Sequence, residues 1–230
     1  EYVSANESHL YLFNTETKKL ESITDRNEKK VVQGSAKFSK NADEIWFVTD
    51  RNNEFDRLAS LNLKTKKINY FTTDIPWEVS GYALSKDKSK IAFETNESGL
   101  HKLYLMDRNS KKYSEIKGLP VGLVNNFDFT NDGKSLFFSQ STFDSSADIY
   151  RLDVASNKIE RWTDSEQGEM QKSDMSAPKL IDWKSFDGMK ITGFYYPVAK
   201  KFTGKRPVLI NIHGGPEGQS MASSLGSNNY

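Results

Sequence analysis

The residues most suited to chemistry in this sequence are His213-Gly214-Gly215-Pro216, which follow directly on the run Pro207-Val208-Leu209-Ile210-Asn211-Ile212. A near-continuous apolar run predicts a strand buried on both faces of a mixed or parallel sheet. Glycines at the end of such a strand let the backbone take unusual φ/ψ angles and approach a bound molecule. A backbone N–H fixed there can donate to the negative oxygen that develops during acyl transfer, a contribution of several kcal/mol to the transition state. A Gly-Gly pair arises by chance at roughly one position in 200. The weight therefore rests on the order of elements: a hairpin, an apolar strand, then the motif.

A donor loop needs a nucleophile and a base. Gly218-Gln219-Ser220-Met221-Ala222 nearly spells the Gly-x-Ser-x-Gly turn that presents a nucleophilic serine between a strand and a helix. It starts only five residues after His213, with no room for a helix and strand between, and ends in Ala, so it is not assigned that role. His9 and His101 are expected as solvent-facing residues of strands, and His213 belongs to the loop itself. With no cysteine, a thiol nucleophile, disulfides, Cys-type zinc sites and iron–sulfur clusters are excluded. No metal or cofactor is expected, because the acidic residues fall in turn slots rather than ligand clusters. Part of an active site is thus legible without its catalytic side chains.

The elements that would position this loop come from a repeat. Ser39, Ser85 and Thr130 are spaced by 46 and 45, each between two short apolar strands joined by a polar turn. A second strand pair follows each copy, as in Leu58-Ala59-Ser60-Leu61, Leu103-Tyr104-Leu105-Met106 and Ile149-Tyr150-Arg151-Leu152, with an earlier copy at Leu10-Tyr11-Leu12-Phe13. Four short strands in roughly 45 residues is the signature of a β-propeller blade. The predicted blades run over about 34–73, 79–118 and 124–163, after a partial blade at 1–24. Lys18-Lys19, Lys66-Lys67 and Lys111-Lys112 share one slot, read as solvated hairpin tips that discourage edge pairing rather than as a nucleic-acid patch. Trp46, Tyr104 and Tyr150 are read as packing between blades. A plain β-sandwich also has strands at short intervals, but it does not predict one turn chemistry recurring at a fixed period.

Past residue 163 the period stops. Asp164–Pro178 is polar and reads as a linker. Leu180-Ile181-Asp182-Trp183 and Ile191-Thr192-Gly193-Phe194-Tyr195-Tyr196 flank Asp187-Gly188, predicting a long hairpin before the apolar run.

Phe186 to Pro197 and Pro207 to Ser220 together resemble the first hairpin, third strand and oxyanion loop of the prolyl oligopeptidase family of serine peptidases. The strong part of the resemblance covers about residues 179–220; the repeats agree more loosely. The family places a β-propeller before a C-terminal α/β-hydrolase domain, so the resemblance implies a mostly β fold: about three and a half blades, then the first strands of the hydrolase domain at 179–230. It implies that His213, Gly214, Gly215 and Pro216 form the oxyanion loop, and that a Ser–Asp–His triad lies further downstream. His213 stands where the dipeptidyl peptidase and prolyl oligopeptidase branches usually carry Tyr, which places the chain nearer the acylaminoacyl-peptidase side.

The expected function is that of a fragment of a serine peptidase hydrolysing short peptides through an acyl-enzyme, the 230-residue chain itself lacking the triad and so inactive. The alternatives are a non-catalytic propeller that binds proteins and carries a vestigial extension, and a carboxylesterase, which the repeats disfavour. Lys+Arg 32 against Asp+Glu 31 leaves a formal charge of +1, giving no basic surplus for nucleic acid or an anionic membrane. No apolar run approaches the roughly 20 residues of a membrane span. The expectation is therefore a soluble protein, cytoplasmic or periplasmic, with peptides as its partners.

Overall fold

The computed structural model describes residues 1–166, 168–169, 171–199, 202–215 and 218–223. It begins with two small sheets, β1 (Tyr2–Ser4) with β2 (Glu7–Ser8) and β3 (Tyr11–Phe13) with β4 (Leu20–Ser22). Three four-stranded antiparallel sheets follow, each a meander with its strands in sequence order. The first holds β5 (Gln33–Phe38), β6 (Glu44–Thr49), β7 (Arg57–Asn62) and β8 (Ile68–Tyr70). The second holds β9 (Glu78–Leu84), β10 (Lys90–Glu97), β11 (Leu100–Asp107) and β12 (Tyr113–Glu115). The third holds β13 (Gly122–Phe129), β14 (Ser135–Thr142), β15 (Ser145–Asp153) and β16 (Ile159–Arg161). These are the blades of a partial β-propeller.

The repeat is written in two turns. Between the first two strands of each blade, the hydroxyl of Ser39, Ser85 or Thr130 donates to Asp43, Asp87 or Asp132 at 2.7, 2.6 and 2.6 Å. The same oxygen accepts the N–H of Glu44, Lys90 or Ser135. The Ser85 bond, helped by Ser89, holds the Asp87 carboxyl down at about 2. Between the last two strands, the side-chain oxygen of Asn14, Asn62, Asp107 or Asp153 accepts the backbone N–H three residues on, at 2.8–2.9 Å. Lys18, Lys66, Lys111 and Asn157 then take φ of 56 to 60° to close the hairpin. Asx side chains that satisfy the turn from within explain why the slot repeats.

Strand length and side-chain alternation do the rest. The outer strands β8, β12 and β16 have three residues each, which leaves little edge for another chain to pair with. Successive residues of a strand point to opposite faces. On β6, Ile45 and Phe47 pack with Ile23, Ala59 and Leu61 on one side, joined by Leu10 and Leu12. Trp46 and Val48 pack with Val79, Tyr82, Ile91 and Phe93 of the next blade on the other. Trp46 is therefore packing between blades, stacked on Phe71 at 4.7 Å and donating from its indole nitrogen to Glu44. Tyr104 stacks on Phe93, and Tyr150 on Phe138. The Tyr82 hydroxyl reaches back to the carbonyls of Ser35 and Trp46, at 2.6 and 2.7 Å.

The third and fourth strands of each blade are also joined by one side-chain pair at the same repeat position, with different chemistry each time. Arg57 lies over the Tyr70 ring at 4.5 Å, Lys102 faces Glu115 at 4.0 Å, and Arg161 bonds Asp148 at 2.5 Å. Asp148 is fully buried and is the hub of its region. Its carboxylate accepts from Ser145, Arg161, Thr163 and both the backbone and hydroxyl of Ser165. Burial pushes its pKa up, but these hydrogen bonds outweigh it and hold the carboxyl well below the usual range.

Three expectations are corrected. Pro207–Ile212 is not a buried strand: Val208, Leu209, Ile210 and Ile212 are 75–84% exposed. A strand exists through the ladder bonds it makes with a neighbour, and among the described residues none pairs with this segment. His9 is not solvent-facing. It is 4% exposed, outside any strand, with Nε2 3.3 Å from the Glu7 carboxylate. Lys111 is not simply solvated; it folds over Trp46 and Phe71 at 4.7 and 5.1 Å, and burial lowers its pKa. The hairpin expected around Asp187-Gly188 is present as β17 (Lys179–Lys184) and β18 (Lys190–Tyr195), in register from Lys179↔Tyr195 to Lys184↔Lys190.

By internal contacts the chain divides into two units, residues 1–96 with 104–114 and residues 97–103 with 115–230. In the first, Asp56 has a buried carboxylate oxygen without a hydrogen-bond partner. Burial, then the charges of Glu78 and Asp50, push its pKa up to about 7. Because the folded pKa is the higher one, the favourable contribution is complete below the unfolded pKa of about 4 and is lost as pH rises through 7. Asp56→Asn is expected to gain about 1–2 kcal/mol over the wild type between pH 4 and pH 8, a figure reduced for the group's partial exposure. Urea unfolding of both proteins at the two pH values tests this, and parallel pH profiles would refute it.

Candidate active-site loop

The loop lies in the second unit, after β17 and β18. These strands are joined by a tight turn: the Ser185 N–H donates to Met189 at 2.8 Å, and the Asp187 carboxylate accepts from the Met189 N–H at 3.0 Å. Gly188 takes φ +86° there, as the Asp-Gly pair predicts. Gly193 packs under the Trp183 ring, where a Cβ would stand 3.1 Å from it. The hairpin delivers Phe194 and Tyr196 towards the segment that follows the motif.

At the motif, His213, Gly214 and Gly215 are exposed and irregular in conformation. The His213 ring donates from Nδ1 to the Gly214 carbonyl at 3.2 Å, which keeps Nε2 without the proton unless the ring is charged. Gly215 has φ +104°, a region open in practice to glycine. Gly214 has open space where a Cβ would be. The chain then folds back on itself: a Cβ at Gly218 would collide with the Gly214 carbonyl and stand 2.9 Å from His213 Nδ1. Pro216, the fourth residue of the expected loop, lies outside the described residues.

Ser220 sits on irregular chain, with no strand leading into it and no helix leaving it among the described residues. Ala222, two residues on, is fully buried. His101, on β11, donates from Nδ1 to the Val124 carbonyl at 3.1 Å. Residues that sequence reasoning passed over hold the return limb of the loop in place: Gly99, Phe194, Tyr196 and Ala222. The one available signal was Ser98-Gly99, a turn dipeptide between two apolar strands.

No protein-family model matches the sequence, and no curated protein matches it either. Solved structures do match. A puromycin hydrolase aligns with TM-score 0.76 at 16% identity, over 91% of this chain and 33% of its own. A puromycin-hydrolyzing peptidase of Mycobacterium tuberculosis aligns with TM-score 0.72 at 14% identity, over 90% of this chain and 32% of its own. Prolyl endopeptidases studied for inter-domain dynamics align with TM-score 0.70 at 14% identity, over 82% and 27%. The chain shares its fold with prolyl oligopeptidases. It spans about a third or less of the length of these relatives. At such identities the prolyl-oligopeptidase likeness establishes the fold alone, and the chemistry has to be argued from the loop.

Proposed function

We propose that the chain is part of a serine-type peptidase in which the blades of residues 1–163 precede, through the linker 164–178, the opening strands of an α/β-hydrolase domain at 179–230. The observation that carries this reading is the reach of the match. Residues 1–178 make about three quarters of the chain, so an alignment over 91% of it extends past the blades and the linker into the hairpin. Two further features support it. The apolar, exposed segment 207–212 has the composition of an interior strand whose neighbours lie elsewhere, and His213-Gly214-Gly215 follows it with a glycine at φ +104°.

In this reading the backbone N–H of Gly214 or Gly215 donates to the substrate carbonyl oxygen as it becomes an oxyanion. A serine oxygen forms the new bond to the carbonyl carbon, and the C–N bond then breaks as the leaving amine takes up a proton. Water hydrolyses the resulting acyl-enzyme and regenerates the serine. The substrates are peptides short enough to pass the propeller. No residue of 1–230 is assigned to the triad.

A fluorophosphonate that modifies activated serines distinguishes the outcomes. The 230-residue chain is expected to remain unlabelled. A longer chain, extended through the coding sequence to a Gly-x-Ser-x-Gly elbow within about a hundred codons, is expected to be labelled at that serine. Stoichiometric labelling of the 230-residue chain, or a coding sequence that ends without an elbow, would overturn the proposal.

A further inference from the structure

The turn between β10 and β11 is a two-residue connection, Ser98-Gly99, with φ of 56 and 83°. Two successive positive φ angles match the twist of the flanking strands, and glycine suits the second position. That accounts for a glycine at 99 but not for what lies against it. A Cβ there would stand 2.6 Å from the Ser220 carbonyl oxygen and 2.9 Å from the Phe194 ring. The Gly99 carbonyl accepts the Ala222 N–H at 3.0 Å, and the Tyr196 hydroxyl donates to the Ser223 carbonyl at 2.8 Å. All of these residues belong to the second unit. The seat is braced from its own arms, since Lys102 bonds Glu97 at 2.6 Å and lies 4.0 Å from Glu115.

We propose that Gly99 is a positioning residue for the His213–Gly215 loop: the Ser98-Gly99 turn is the seat on which the loop's return limb, 218–223, is held. The limb is fixed at both ends. Gly218 packs against Gly214 and His213, and Ala222 and Ser223 are tied to Gly99 and Tyr196. Three residues separate Gly218 from Ala222, so a shift of the limb at the seat is passed to the motif over a short length of chain. The catalytic meaning of this seat rests on the oxyanion reading above; the seat itself does not. Its test therefore involves no substrate, and a failed peptidase assignment leaves the result intact.

The experiment is amide hydrogen exchange and histidine-ring NMR on the full 230-residue chain. Gly99→Ala is expected to speed exchange of the Ala222 amide about tenfold, the loss of roughly one net hydrogen bond, and to shift the His213 ring signals. Gly118→Ala is the control, because Gly118 has φ +88° but only the Ile159 side chain near its Cβ position, at 4.0 Å. It carries the same backbone strain and is expected to leave Ala222 and His213 unchanged. Tyr196→Phe removes one tie without adding an atom, and is expected to speed exchange at Ala222 by a smaller factor. Unchanged protection of Ala222 in Gly99→Ala, or equal acceleration in Gly118→Ala, would overturn the proposal. Should Gly99→Ala not fold, Tyr196→Phe decides: unaltered exchange at Ala222 refutes the seat.

Discussion

Asp148→Asn is expected to destabilise the chain by about 3–5 kcal/mol, the range seen when one partner of a buried ion pair is removed. The carboxylate is fully buried and receives hydrogen bonds from four residues. Asparagine replaces one acceptor oxygen by a donor nitrogen and removes the charge that Arg161 faces. Arg161 keeps a second partner, Asp164, at 2.6 Å, which places the expected loss towards the lower end. The pH dependence adds a second signature. The folded pKa is depressed, so the stabilisation is complete above the unfolded pKa of about 4 and is lost as pH falls through the lower folded value. Wild type is therefore expected to lose stability steeply below pH 4, and Asp148→Asn to do so less. Urea midpoints from pH 2.5 to 7 measure both effects; an unchanged midpoint at pH 7 would refute the role of the hub.

The second large effect is Trp46→Ala, expected to cost about 3–5 kcal/mol. Trp46 has no exposed surface and lies in the cluster shared by the first two blades. Its ring makes contacts of different kinds, with Phe71 stacked at 4.7 Å and the Lys111 ammonium 4.7 Å from its centroid, against both rings. Truncation leaves a cavity that the surrounding β-strands cannot close, because their ladders fix the backbone. It also removes one of the two side-chain donors to Glu44, leaving Arg108 at 3.2 Å. Since a domain has only about 5–15 kcal/mol of stability, this single change is expected to bring the first unit near its unfolding threshold. Circular dichroism during urea unfolding measures it, with Trp46→Phe expected to lose less than half as much. A loss below about 1 kcal/mol would show that the ring does not carry the junction.

What the sequence made legible was local chemistry. Ser39, Ser85 and Thr130 could be aligned because each must satisfy the same turn from its own side chain, and Asp187-Gly188 could be placed because few dipeptides close a hairpin. Apolar alternation likewise predicts the strand that β6 forms, although not that both of its faces are buried. The misreadings share one cause, which is that burial depends on partners. Pro207–Ile212 has the side chains of an interior strand, yet a strand is a property of two chains in register. His9 reads as a surface histidine, yet it is buried with its ring against the Glu7 carboxylate. Gly99 could be read as a turn glycine, but nothing near it in sequence announces Ser220 and Phe194. The candidate loop was visible as a motif; the contacts that hold it were not.

The changing chemistry of the pairs between third and fourth strands bears on how near-identical repeats find their own partners. A chain with several blades of one length and one turn pattern offers each third strand more than one acceptable fourth strand. Exchanging fourth strands between the second and third blades would set Lys102 against Arg161 and Asp148 against Glu115, two cations and two anions in place of two attractive pairs. The charges of these two pairs therefore favour the native pairing over that exchange.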